Sequence, residues 1–127
     1  MSFTYNPFKL RNALDNLRKA CVVSQEDMDV SRAVEAFKFS YELLWRLLRR
    51  IVEDEGYNAA TPQRAFHCAL ELGIAQNPPL WKEAERIRHD LGSYLENTPP
   101  EKIAADFLAF CEEATLIIAK LEEPAAA

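Results

Sequence analysis

Apolar residues recur every three to four positions along almost the whole chain, the spacing of amphipathic helices. Leu10, Ala13, Leu14, Leu17, Ala20 and Cys21 form the first stripe and predict a helix over about residues 7–24. Pro7 suits its start, where the missing N–H would have no partner. The polar stretch "SQEDMDVS" interrupts the pattern and reads as a loop. Ser31 then stands where a hydroxyl can cap a second helix. Val34, Phe37, Tyr41, Leu44, Leu48 and Ile51 share one face of it, while Phe39, Leu43 and Leu47 form another apolar row and Trp45 adds to the apolar surface. A helix this apolar around its circumference is either central in a bundle or shared with a partner chain. It ends in "EDEG", where Gly56 can take the left-handed conformation.

"TP" at 61–62 restarts a helix, with Thr61 as cap and Pro62 in the first turn. Ala65, Phe66, Ala69, Leu70 and Leu72 supply its buried side before Gly73. In "QNPPLW", Asn77 is the expected cap of the next helix, whose stripe is Leu80, Ala84, Ile87 and Leu91 with Tyr94 at its end. That helix should weaken near Gly92, since glycine costs about 1 kcal/mol relative to alanine. "TPPE" at 98–101 has capping-box spacing, with Thr98 as cap and Glu101 reaching back. Ile103, Phe107, Phe110, Ala114, Ile117 and Leu121 line the last helix, and residues 123–127 are expected to fray. Long helices with short connections predict an all-α protein: an antiparallel up-and-down bundle of four main helices, one of them split.

Composition narrows this picture. The 127 residues suit one domain, taken as 1–127, able to bury a core without a staple. Three glycines are too few for a turn-rich β protein. A net charge of −5 opposes indiscriminate nucleic-acid binding, which needs a basic surface, although a local basic patch remains compatible. Cys21, Cys68 and Cys111 are odd in number and lack CxxC spacing. They read as reduced, buried thiols of a cytoplasmic protein. No basic n-region with an apolar run opens the sequence, so no signal peptide is expected. No apolar stretch approaches the ~20 residues that span a bilayer, and no membrane is expected as a partner.

Few residue groups suggest chemistry. His67 and His89 each lack a Glu three positions earlier, so a di-iron bundle site is not expected, and neither a metal nor a cofactor is called for. No Gly-rich phosphate loop or nucleophile elbow is present. In "WRLLRRIVEDE", Arg46, Arg49, Arg50 and Glu53 fit a solvated helix face, or a groove for phosphate or an acidic partner.

The richest stretch is "RIRHDLGSY" at 86–94. At about 100° per residue, Arg88 falls beside Trp81 at the edge of the apolar stripe, where a guanidinium can stack. Arg86 and Asp90 can pair at i, i+4 on the opposite side, and His89 points away from the stripe. Histidine can act as a general base and arginine can hold a phosphate. The same pattern is equally that of a helix whose Arg86, His89 and Asp90 are solvated, with Arg88 and Tyr94 bordering the core.

The order of segments resembles a known family. "RAVEAFKFSYELLWRLLRRIVEDEG", through Phe37, Phe39, Tyr41, Glu42, Leu43 and Trp45, is similar to the aromatic-rich second helix of the nucleotidyltransferase substrate-binding, or HepT-like, proteins. "TPQRAFHCALELGI" resembles their next, Pro-initiated helix, and Trp81 and the later Arg/Tyr region follow in order, so the resemblance covers about residues 8–121. It implies a small helical bundle, a homodimer, partnered by a separate minimal nucleotidyltransferase, with nucleotide or RNA as further possible ligands. Some members are ribonuclease toxins, whose nucleotidyltransferase antitoxin adds AMP to a tyrosine. Their motif is Arg, four to six residues, then His-x-Tyr. This chain departs from it: five and seven positions after Arg88 stand Ser93 and Leu95, and two before Tyr94 stands Gly92. The resemblance therefore implies a non-catalytic binding subunit, with Arg88 and Arg86 as phosphate or substrate contacts and Tyr94 as a candidate AMP-modification site. The alternative is a ribonuclease toxin in which His89 replaces the displaced histidine.

Overall fold

A computed structural model describes residues 6–22 and 29–122. The described residues form six helices and no strand: α1 (Phe8–Val22), α2 (Val30–Asp54), α3 (Pro62–Glu71), α4 (Pro78–His89), α5 (Leu91–Asn97) and α6 (Pro100–Glu122). Most of the polar stretch after α1, and the tail at 123–127, lie outside these residues.

Local chemistry sets the helix ends, and three caps differ from the sequence expectation. Asp29, not Ser31, caps α2: its carboxylate accepts from Arg32 N at 3.2 Å. A carboxylate answers both the free N–H groups and the positive end of the helix dipole, so the helix begins before Ser31. Thr61 caps α3 as expected, accepting from Arg64 N at 3.2 Å. Asn77 occupies the cap position of α4 in a left-handed conformation, φ 65°, but its side chain donates to Glu113 Oε1 on α6 instead of capping. The expected capping box at 98–101 gives way to a start at Pro100, with Pro99 O accepting from Lys102 and Ile103 N. At the other ends, Gly56 (φ 94°) and Gly73 (φ 75°) take the left-handed turn. Tyr57 N then reaches back to Val52 O, and Ile74 N to Ala69 O.

Helix α1 packs on α2 and α6, α2 also on α3, and α4 bridges α3, α5 and α6. Arg11 pairs with Glu122, and Arg18 Nη2 donates to Thr115 Oγ1, so α1 and α6 run antiparallel along this seam. One core cluster draws on all six helices. Its centre is aromatic. Phe37 of α2 stacks on Phe107 of α6 at 4.5 Å and meets Phe110 edge-on at 5.1 Å. Trp81 of α4 meets Phe110 and stacks on Phe66 of α3 at 4.9 Å. The buried face of α4 is therefore Trp81, Ala84 and Ile87, rotated from the expected stripe, with Leu80 and Leu91 only half-buried. A ring with stacking partners on two helices outweighs a leucine in choosing which face turns inward.

Cys21, Cys68 and Cys111 are free and buried. Desolvation pushes the Cys21 thiol up to about 11 and Cys111 to about 12, so both act as small hydrophobes. Ser40 is also fully buried, and its Oγ has no hydrogen-bond partner among the described residues.

Two substitutions test this core. Ser40→Ala removes a buried hydroxyl with no partner and improves helix propensity, so stability should rise by about 1 kcal/mol. Phe107→Ala should cost about 3–5 kcal/mol. Urea denaturation of both variants against the unchanged protein measures each.

Candidate functional site

The 86–94 stretch does not lie on one continuous helix. Helix α4 ends at His89, α5 begins at Leu91, and Asp90, with φ −126° and ψ 54°, is the joint. The break comes two residues before the expected weak point, and Gly92 sits inside α5 without a positive φ. Asp90 is a poor helix former that leaves its own backbone non-helical.

The kink sorts the polar residues into two groups. Arg86 is exposed and grips Glu83, with Nε at 3.1 Å from Oε2 and Nη2 on Oε1. It does not pair with Asp90 as the spacing suggested. These bonds hold the Glu83 carboxyl below its ordinary value. Nearby, Tyr94 is 6% exposed and its hydroxyl donates to Asp106 Oδ2 at 2.6 Å, while Lys102 pairs with Asp106 Oδ1. Burial first, then Asp106, raises the Tyr94 phenol well above its ordinary value. The Tyr94 hydroxyl is thus neutral and committed, and transfer of a group to it requires the Asp106 bond to open.

Arg88 and His89 belong elsewhere. Both line a cavity of about 380 Å³ between α2, the first turn of α3, and α4. Its other walls are Tyr41, Glu42, Thr61, Pro62, Gln63 and Glu85. Arg88 is half-buried and has no hydrogen-bond or ion-pair partner among the described residues. Its charge bears on the Tyr41 phenol, which burial and Glu85 push up to about 12 while Arg88 pulls the other way. Glu42 is engaged: its carboxylate accepts from Trp45 Nε1 and Arg46 Nε, each at 2.9 Å. An unpaired guanidinium beside a phenol and the N-terminus of α3 can hold an anion.

The structure therefore brings Arg88 and His89 together and places Arg86 and Tyr94 in a separate cluster with Glu83 and Asp106. Sequence reading missed Tyr41 and Glu85 as neighbours of Arg88 in the cavity wall. Tyr41 looked like one more core aromatic, whereas Glu85, Arg88 and His89 at i, i+3 and i+4 carried a legible signal of a shared face. His67 is exposed and faces Glu71 Oε1 at 3.0 Å. Among the described residues no three His, Cys, Asp or Glu side chains gather as a metal site, and no helix is long and apolar enough to cross a membrane.

This geometry has a family context. The family described as "Nucleotidyltransferase substrate binding protein like" matches residues 6–123. The chain belongs to that family. A comparison with curated protein sequences gave no match. The match spans all six helices, so in this substrate-binding-protein-like chain both the cavity and the Tyr94 cluster are built from family elements.

Tyr94→Phe isolates the second cluster. Losing the bond to Asp106 should cost about 1–2 kcal/mol near neutral pH. A phenol whose pKa is raised on folding contributes stability that is complete below its unfolded value, about pH 10, and lost as pH climbs towards the folded value. The gap between the two proteins should therefore narrow above about pH 10, as measured by denaturation across the alkaline range.

Proposed function

We propose that this chain is a non-catalytic substrate-binding partner subunit of a minimal nucleotidyltransferase system, working as a dimer that forms a helical groove. The observation that carries this reading is the second apolar row of α2. Phe39 is 58% exposed, and Leu43 and Leu47, one and two turns on, are only half-buried on the same helix whose other face fills the core. A contiguous apolar row on a core helix is the kind of surface that a second chain covers. Family membership supports the substrate-binding role and a separate nucleotidyltransferase as partner.

In this reading residues 1–127 form one domain, an antiparallel up-and-down four-helix bundle. Helices α1, α2 and α6 are three arms, and the fourth is split among α3, α4 and α5. The antiparallel α1–α6 seam and the single core cluster support that arrangement. Three free thiols fit a reducing, cytoplasmic setting. Arg88 is the substrate contact. Arg86 would serve as a second one only by leaving Glu83.

One observation favours the alternative, a ribonuclease toxin neutralised by its nucleotidyltransferase. Arg88 and His89 share a cavity with a tyrosine, Tyr41, which restores an Arg, His and Tyr set in space. Arginine would hold the phosphate and His89 would take the ribose hydroxyl proton. Tyr94 would then be the AMP acceptor once released from Asp106. RNA cleavage abolished by His89→Ala and by Arg88→Ala would establish this alternative.

Size-exclusion chromatography with light scattering should report twice the 14.5 kDa chain mass. Phe39→Glu combined with Leu43→Glu should return a folded monomer. A compact monomer for the unchanged chain at micromolar concentration contradicts the dimer, and failure to co-purify with a nucleotidyltransferase encoded beside it contradicts the partner role.

A further inference from the structure

The cavity between α2, α3 and α4 presents polar groups that the protein leaves uncommitted. Tyr41 is 3% exposed, and its ring is held by Phe37, Phe66 and Phe110. Its hydroxyl has no hydrogen-bond partner among the described residues, yet it is not sealed in: the side chain lines the cavity, and Ser40 Oγ is the one fully enclosed orphan among them. A phenol whose ring is fixed in the core and whose hydroxyl opens on a cavity without a protein partner is available to bond a ligand atom in place of water.

The other walls define that ligand. Arg88 is a half-buried cation with no anion of its own, so one ligand group is anionic. The first turn of α3 adds Gln63 N–H, which has no carbonyl four residues back inside the helix, and His89 stands beside Arg88. The carboxylates of Glu42 and Glu85 line the same space. Glu42 is held by Arg46 and Trp45, which leaves Glu85 with no partner among the described residues. Two carboxylates facing one arginine disfavour a polyanion such as a triphosphate. Glu85 and the Tyr41 oxygen accept hydrogen bonds, so the ligand also carries donors such as hydroxyls. The volume of about 380 Å³ matches small-molecule sites.

We infer that this cavity binds a sugar or nucleoside monophosphate, with its phosphate on Arg88 and Gln63 N–H and its sugar hydroxyls between Glu85 and Tyr41. This inference rests on the substrate-binding reading above and names the class of substrate.

Isothermal titration calorimetry of the isolated chain tests it, with ribose 5-phosphate, uridine 5′-monophosphate and inorganic phosphate as probes. At least one sugar-bearing probe should bind about tenfold or more tightly than inorganic phosphate. The tighter of the two identifies the ligand as sugar or nucleoside monophosphate. Arg88→Gln should weaken every probe by about tenfold. Glu85→Gln and Tyr41→Phe should weaken only the sugar-bearing probes, and Tyr41→Phe keeps the ring that the core requires. Thermal melts confirm that each variant is folded. Binding unchanged in folded Arg88→Gln, or equal loss of inorganic phosphate in Tyr41→Phe, overturns the assignment. An unchanged chain that captures the nucleotidyltransferase but saturates with neither sugar phosphate overturns this inference alone. One that binds a sugar phosphate but captures no nucleotidyltransferase overturns the partner reading alone.

Discussion

The contact between Phe37 and Phe107 is the one on which the rest depends. Two parallel rings 4.5 Å apart join the longest helix to the last one, and every other aromatic of the core touches this pair or its neighbours. Phe110 carries the contact to Trp81, Trp81 to Phe66, and Phe66 to Tyr41, which returns to Phe37. The loop of rings closes across α2, α3, α4 and α6. Aromatic pairs have preferred geometries beyond their area, so this loop fixes rotation about each helix axis as well as distance. Close packing then transmits any change at one ring to the others.

That rotation is what creates the cavity. Trp81 faces inward because Phe66 and Phe110 receive it. Arg88 follows Trp81 by seven residues, two helical turns, and so emerges on nearly the same face of α4, beyond the end of the core. Tyr41 comes to the same place from α2, with its ring inside the aromatic loop and its hydroxyl at the boundary. Both residues bury an apolar body and present a polar tip. The site thus needs no special loop. It forms where the aromatic core ends between α2 and α4, and Thr61 fixes the start of α3 at its rim.

Much of the fold was legible because helices advertise themselves through a 3.6-residue period and their stop signals. Pro62, Gly56 and Gly73 marked ends that the structure keeps. Errors fell where two local solutions competed. Asp29 and Ser31 can both cap α2, and the carboxylate prevails. Leu80 and Trp81 can both lead the buried face of α4, and the partner rings on α3 and α6 decide, which no window on α4 contains. The site was less legible for the same reason. Arg88 and His89 were visible as candidates, but Tyr41, which lines the cavity with them, is 47 positions from Arg88 and carried the signature of a core residue.

The kink at Asp90 shows how local chemistry sorts the residues of the candidate site. Asp90 closes one helix and opens the next, with its N–H on Arg86 O and its carbonyl accepting from Tyr94 N. The bend redirects α5 and carries Tyr94 to Asp106 of α6. Arg88 stays behind with α4 and Tyr41. The tyrosine adjacent in sequence is thereby withdrawn from the arginine, and a distant tyrosine takes its place. Of the two, Tyr94 donates its hydroxyl hydrogen to Asp106, while the Tyr41 hydroxyl has no partner among the described residues. The Arg, His and Tyr that share the cavity are therefore set by where α2 and α4 face each other across it, and not by their linear spacing.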